Sequence, residues 1–354
     1  MAKRAVGLDI GTCGIRAVEV TTSGSGYRLV QLAEAPLPVG AVMDGEVVDT
    51  ALVADAIRGL WKYAKLSRTQ VALGVANQKV VVRQLDLPRL PLAELRRTLG
   101  YHVADIIPMP VDQALLDVHP LVDVTDSAGV PAIRGLLVAA DAAMVRASVT
   151  AARSAGLTVA AVDLTPFALM RALAAPQLLG RTDRAEVLID AGAAVTTVVV
   201  HAQGAPLFVR ILGLGGQEIT QRLAERVGTS MDSAEQLKRS LGIPRQRGVA
   251  DATTEVAVSA ADEWVDEVRG SLDYYMAQTD ARPLSRVRLA GGAVHLGGLA
   301  SSLANILGLP VELADPYAAV TVSGGVSVDD LRGSAHHAAV GVGLALGVLE
   351  GNGA

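Results

Sequence analysis

Val6-Gly-Leu-Asp-Ile-Gly-Thr-Cys-Gly-Ile-Arg-Ala-Val-Glu-Val20 is the stretch on which the fold turns. An apolar run ends on Asp9, Gly11-Thr12 turns the chain, and an alternating run from Ile15 to Val20 leads away. That pattern predicts two strands joined by a tight, bare turn. Gly11 and Gly14 let backbone amides approach a ligand closely, and Thr12 adds a hydroxyl donor. A carboxylate beside such a turn repels phosphate unless a divalent cation sits between them. The turn therefore reads as a phosphate site with Asp9 holding Mg²⁺ through water. A plain β-hairpin is the alternative that this stretch leaves open.

The pattern occurs again. Val187-Leu-Ile-Asp-Ala-Gly-Ala-Ala-Val-Thr-Thr-Val-Val-Val200 has the same apolar run, a second carboxylate in Asp190, the Gly192-Ala193 turn and an alternating strand. Each copy continues into a turn and a third strand, Arg28 to Ala35 in the first and Leu207 to Leu212 in the second. Two copies in corresponding positions predict two related halves, each presenting an Asp-bearing turn to a shared cleft. Further glycines follow. Gly213-Leu-Gly215-Gly216 opens a helix, and the strand Arg286 to Ala290 ends on Gly291-Gly292-Ala293, ahead of a helix from Leu299. Strand, double glycine, helix places backbone amides and a helix N-terminus at a cleft.

With 354 residues, the chain is long enough for two to four structural units. Hydrophobic residues make up 51% but aromatics only 3%, so the core is aliphatic. The net charge of −5 argues against a nucleic-acid binder, which needs a basic face. Cys13 is the single cysteine; no internal disulfide can form, and beside the turn it reads as a small apolar filler. No signal peptide is visible, and no apolar run reaches the roughly 18 residues that span a bilayer. Ala338 to Leu349 comes nearest and reads as a buried closing helix; a soluble, cytoplasmic protein is expected.

Periodicity predicts a helix over Ala51 to Ala64, strands at Val71 to Ala76 and Lys79 to Leu87, and a helix from Leu92 to Ile106. Strands at Leu115 to Val122 and Arg134 to Ala140, a helix from Ala142 to Ser154 and a strand from Val159 to Leu164 come next. Residues 36–160 thus read as one mixed unit inserted between the two Asp turns. After the second copy, helices opening at Gly213, Ser230 and Glu255 predict a helical subdomain.

Two Asp-Gly turns about 180 residues apart, then a strand with Gly-Gly, resemble the superfamily of actin, the heat-shock chaperone ATPases and hexokinase. Asp9 to Thr12 looks like its first phosphate motif, Asp190 to Thr196 like the second, and Ala290 to Ala293 like the adenosine motif. Val75-Ala-Asn-Gln-Lys-Val-Val-Val-Arg-Gln-Leu-Asp-Leu-Pro88, Val103-Ala-Asp-Ile-Ile-Pro-Met-Pro110 and Asp44-Gly-Glu-Val-Val-Asp49 are similar to the PilM family of type IV pilus assembly proteins, relatives of the division protein FtsA. The resemblance implies an α/β, actin-like (ribonuclease H-like) duplicated ATPase core, with an inserted SHS2-like subdomain and a helical subdomain. Its first core subdomain would be 1–35 with 161–182 and 326–354, and the inserted one 36–160. The second core subdomain would be 183–213 with 284–325, and the helical one 214–283. It implies ATP and Mg²⁺ bound by the motifs above, with Asp9 and Asp190 toward the metal. Cys13, Gly215 and Gly216 would add to the cradle. Glu235, Lys238 and Arg239 would come from the helix that contacts ribose and adenine in these relatives. A solvated Glu–Lys helix pair is the other reading of that helix.

In the family, the cytoplasmic N-terminal peptide of PilN, a bitopic inner-membrane protein, lies in a groove between the first and the inserted subdomains. The corresponding residues here would be Asp44, Gly45, Glu46, Val47, Val48, Leu85, Leu87, Ile107 and Met109, although the same residues also read as subdomain core. Members that hydrolyse ATP well position water with a Gln or Glu on the helix before the second phosphate motif. Thr165 to Ala174 has neither, and Gln177 lies past its end. The expectation is an ATP-loaded scaffold with slow or no turnover, peripheral to the membrane through its partner. An FtsA-like filament and a small-molecule kinase are the other readings; the latter needs a catalytic base and a polar sugar pocket, for which the sequence offers no convincing candidate beyond Asp163.

Overall fold

The computed structural model describes residues 2–24, 26–66, 68–125, 129–174, 183–243 and 251–351. The opening motif forms the hairpin its alternation predicts. β1 (Arg4–Ile10) and β2 (Gly14–Ser23) run antiparallel with Asp9 opposite Arg16, and β3 (Gly26–Pro36) returns along β2. A small hairpin of β4 (Val42–Met43) and β5 (Glu46–Val47) precedes α1 (Thr50–Ala64), whose N-terminus is capped by the Asp49 carboxylate. β6 (Gln70–Val75) then lies parallel beside β1.

The chain next leaves this sheet. β7 (Val80–Pro88), α2 (Leu92–Val103), β8 (Ala114–Thr125) and β9 (Pro131–Asp141) make a separate antiparallel sheet in the order β7-β9-β8. α2 covers it, burying Leu95, Leu99 and Val103 against Leu87, Val118 and Leu137. α3 (Ala142–Ser154) leads back to β10 (Thr158–Leu164), parallel to β6, and α4 (Thr165–Leu173) follows.

The second half repeats the plan. β11 (Ala185–Ala191), β12 (Thr196–Ala202) and β13 (Ala205–Leu212) form the three-strand meander, with Asp190 opposite Thr197. Helices α5 (Gly216–Val227), α6 (Met231–Ser240) and α7 (Ala252–Met276) intervene before β14 (Leu284–Ala290), which is parallel to β11. α8 (Leu299–Leu307), β15 (Val311–Leu313), β16 (Thr321–Val322), α9 (Val328–Ser334) and α10 (Ala339–Leu349) complete the chain. The strand orders are β16-β3-β2-β1-β6-β10 and β13-β12-β11-β14-β15. Apart from β16 the two sheets match strand for strand, so the repeated motif marks a duplicated five-stranded unit.

This topology corrects three expected boundaries. The inserted unit does not fill 36–160, because β6 and β10 are the fourth and fifth strands of the first sheet. β6 is buried on both faces, as a central parallel strand requires, and α1 and α3 pack on that sheet. The insertion is therefore the stretch from Ala76 to Asp141. Within 284–325, β16 pairs with β3 and belongs to the first half. Among its described residues the helical stretch 214–283 shares its core with the second sheet, Leu223, Trp264, Val265 and Val268 packing with Val187, Val198 and Leu289.

α4 and α10 lie between the halves, where Leu169, Leu173, Val342 and Leu346 join Val18, Val20, Leu188 and Val199 in one core. Backbone comes close to backbone there. A Cβ on Gly343 would lie 1.7 Å from the Ala168 carbonyl oxygen. The Gly/Ala bias of α10 is thus a packing requirement, and the helix is buried. Among the described residues no helix is long and apolar enough to cross a membrane.

Candidate functional site

The two Asp turns close identically. Gly11 N–H donates to Gly14 O at 2.9 Å, and Gly192 N–H to Val195 O at 3.0 Å. Each sets its Asp at the end of a central strand, aimed at the space between the halves. The carboxylates face one another closely enough to interact. Burial, then the Asp9 charge, raises the Asp190 carboxyl from an ordinary value of 3.8 to about 7, with Arg16 opposing. Arg16 Nη1 donates to Asp9 Oδ2 at 3.1 Å, and its buried Nε makes no hydrogen bond but lies 3.8 Å from Glu34 Oε2.

The remaining turns converge on the same space. Gly216 N–H donates to Gly192 O at 2.9 Å and Gln217 N–H to Ala193 O at 2.7 Å, pinning the second Asp turn to the N-terminus of α5. A Cβ on Gly215 would lie 2.5 Å from Gly192 O, and one on Gly216 would lie 3.3 Å from both the Ala293 Cβ and Lys238 Nζ. Gly291, at φ +96°, leaves no room for a side chain, because Ala191 O stands 2.3 Å from its Cβ position. Gly292 follows with open space at its Cβ position. Across the cleft Cys13 is exposed; desolvation and then Glu235 push its thiol up, against Lys238, Arg16 and Arg239. The first turn, carrying Thr12 and Cys13, thus faces α6.

Lys238 has another task than the ribose contact expected of it. Its Nζ donates to Gly216 O at 2.9 Å, Thr220 Oγ1 at 2.8 Å and Glu235 Oε2 at 2.6 Å, which uses all three of its protons. It pins α6 to the start of α5. Burial pushes Glu235 up, but hydrogen bonds from Lys238 and Thr220 outweigh it and hold the carboxyl low. Glu235 and Arg239, paired at 3.1 Å, stay at the rim of the cleft.

The arrangement fits an anionic ligand with a divalent cation. Two facing carboxylates form a hard oxygen site, and their mutual penalty at Asp190 is what a cation would relieve. Among the described residues no group of three or more His, Cys, Asp or Glu could hold a metal. Arg16 Nε, held only by the 3.8 Å ion pair with Glu34, and Gln217 Oε1 are both buried without a hydrogen bond. Arg16 and Gln217 were missed in the sequence. Hairpin register could have found Arg16, since a tight turn after Asp9 puts residue 16 across from it.

The expected partner groove does not form as named. Leu87 and Ile107 are core residues under α2, and Leu85 and Met109 pack against the same cluster. Asp44 to Val48 lie elsewhere. Asn77 Nδ2 donates to Asp44 O, Lys79 Nζ reaches Glu46 Oε2 at 2.6 Å, and a Cβ on Gly45 would lie 3.1 Å from Val195 Cγ2. This hairpin stands over the second Asp turn, with Val47 buried and Val48 exposed. A separate opening lies between the inserted sheet and the first half. A cavity of about 780 Å³ runs between β8 of the insertion and β10 and α4 of the first half. Phe167, Met170, Leu164 and Val138 give it apolar walls; the ion pairs Arg96–Asp117 (2.8 Å) and Arg171–Asp163 (2.5 Å) sit on its lining. Asp163 is thereby paired with Arg171 on the lining of this cavity. Gln177 lies outside the described residues.

A family model described as "Type IV pilus assembly protein PilM" matches residues 7–348. A solved PilM–PilN type IV pilus biogenesis complex is similar, at 30% identity and TM-score 0.85 over 97% of both chains. MreB 5 of Spiroplasma citri bound to AMPPNP shares the fold at 12% identity and TM-score 0.57, with 99% of this chain and 98% of that one covered. The cell division protein FtsA of Bacillus subtilis is 22% identical over 67% of this chain; the match spans 58% of its own length.

Proposed function

The chain belongs to the type IV pilus assembly protein PilM family, and from that premise we propose that it is an actin-like, ATP-binding scaffold that docks the cytoplasmic N-terminus of a PilN-type inner-membrane protein. One observation carries the nucleotide part: two Asp turns and two glycine turns from both halves converge on one cleft, where Asp190 is held at about 7. Bound Mg-ATP supplies negative charge and a cation between the halves. Asp9 and Asp190 would hold the metal, Arg16 would counter phosphate charge, and the amides of the first and second turns would cradle the phosphates. Glu235 and Arg239 would border the nucleoside.

The same cleft supports slow turnover. α4, the helix ahead of the second Asp turn, begins with Thr165, buried at 6% exposure, and among its residues none is an acid or amide that could orient water. The turns of the two halves would then be held together across bound nucleotide rather than turning it over.

For the partner peptide, the 780 Å³ cavity is the better site than the groove expected from sequence. β8 is the outer strand of the inserted sheet and β10 the outer strand of the first, so two strand edges flank an apolar trough. Leu115 and Val162, exposed at 46% and 38%, stand along it. An extended peptide with hydrophobic side chains suits such a trough. Docking there would hold this chain at the inner face of the membrane through its partner.

The test is a calorimetric titration with a peptide of the PilN cytoplasmic N-terminus from the same genome, with and without Mg-ATP. Micromolar binding, weakened about tenfold or more by Leu115→Asp or Val162→Asp, is expected. Binding indifferent to both substitutions would move the site elsewhere. Absence of binding in either nucleotide state would remove the partner reading.

A further inference from the structure

The second glycine turn is fixed from the opposite half. Gly291 N–H donates to the His336 carbonyl at 2.5 Å, and His336 lies in the segment that leads into α10. Its ring meets that of His295, the last residue of the turn that follows Gly291, with centroids 5.0 Å apart and planes at 85°. The first half thus grips the Gly291–Ala293 turn twice, once by backbone and once by side chain.

We infer that His336 is a positioning residue for nucleotide, holding the Gly291–Ala293 turn through its carbonyl and through an edge contact with His295 made by two neutral, buried rings; this rests on the nucleotide reading above. Edge-to-face imidazoles attract when uncharged; protonating either ring must overcome its burial and the positive groups that face it, and protonating both adds direct repulsion at this spacing. The surrounding charges do not offset that repulsion. From α6, Arg239 and Glu235 face His295 with opposite signs. From the segment before α10, His337 faces both rings. Its own Nε2 is taken by Glu34 Oε2 of β3 at 2.6 Å, and Glu34 in turn lies 3.8 Å from Arg16 of β2. The Glu34 carboxylate is therefore spent on His337 and Arg16. His336 Nδ1 is buried without a partner.

Burial first, then the neighbouring positive groups, keep both rings below the ordinary histidine range. Acid therefore populates arrangements in which the pair has separated and the turn is released. The device would make nucleotide affinity fall below neutral pH.

The experiment measures Mg-ATP affinity at pH 7.5 and 5.5 for wild type, His336→Phe and His295→Gln. Phe keeps a ring for the edge contact and cannot be protonated. At pH 7.5, wild type and His336→Phe should agree within about twofold. At pH 5.5, wild type should lose about tenfold more affinity than His336→Phe, the factor for one histidine that titrates near 6.5 when released and stays neutral when gripped. Asp190 and ATP titrate alike in every variant, so the difference isolates the pair. A pH slope shared by all three proteins overturns the inference. Wild type that binds no Mg-ATP at pH 7.5 overturns the nucleotide reading beneath it. Hydrogen exchange of residues 288–296 in wild type, corrected for intrinsic rates, gives a readout that needs no variant. Faster exchange at pH 5.5 is expected, and unchanged protection would refute the release.

Discussion

Replacing Asp190 with Asn removes a carboxyl whose pKa stands at about 7 against an ordinary 3.8, because burial and the facing Asp9 carboxylate disfavour its charge. An acid raised in the folded state leaves stability intact below its unfolded value. That stability is lost as pH rises toward the folded one. Without metal, wild type therefore weakens between about pH 4 and pH 7. A shift of roughly three units is worth about 4 kcal/mol at pH 8 and about 1.6 kcal/mol at pH 5. Asp190 is not fully sealed from solvent, and water relaxes part of this, so about 2–4 kcal/mol is expected at pH 8. Asp190→Asn should be more stable than wild type by that amount in urea unfolding with chelator at pH 8, and the gap should shrink at pH 5. Mg-ATP should reverse the order, stabilising wild type far more than the variant. A variant no more stable than wild type at pH 8 in chelator would refute the reasoning. So would a gap that ignores pH.

Three further outcomes follow from the same geometry. Arg16→Ala, which removes the guanidinium 3.1 Å from Asp9, should weaken Mg-ATP binding about 10–100-fold in a fluorescence titration, with Arg16→Lys intermediate; unchanged affinity would exclude Arg16 from the phosphate site. Lys238→Met keeps the packing but strips three hydrogen bonds from the α5–α6 junction, and should cost about 1–3 kcal/mol in urea unfolding. Gly343→Val places a branched side chain where the Ala168 carbonyl oxygen lies 1.7 Å from a Cβ, and should abolish soluble expression or lower Tm by many degrees in a thermal scan.

Sequence alone determined the repeat, the Asp and glycine turns and most element positions, because these are local. Strand alternation, helix periodicity and glycine punctuation act over a few residues. The two halves were legible for the same reason: Val6–Val20 and Val187–Val200 carry one pattern twice. What sequence could not fix was which strand joins which sheet. β6 and β7 are neighbours in the chain, yet β6 pairs with β1 and β7 with β9, since the pairing of parallel strands is set by burial across a long connection. The insertion therefore begins at Ala76, not residue 36. Only tertiary structure turned Leu87 and Ile107 into core and opened the trough between β8 and β10. It alone spent the three protons of Lys238 inside the helical unit and set His336 against His295 from 41 positions away. Those facts depend on which surfaces meet. A side chain's chemistry is written in its residue type, but whether that chemistry is still free is decided by what packs against it.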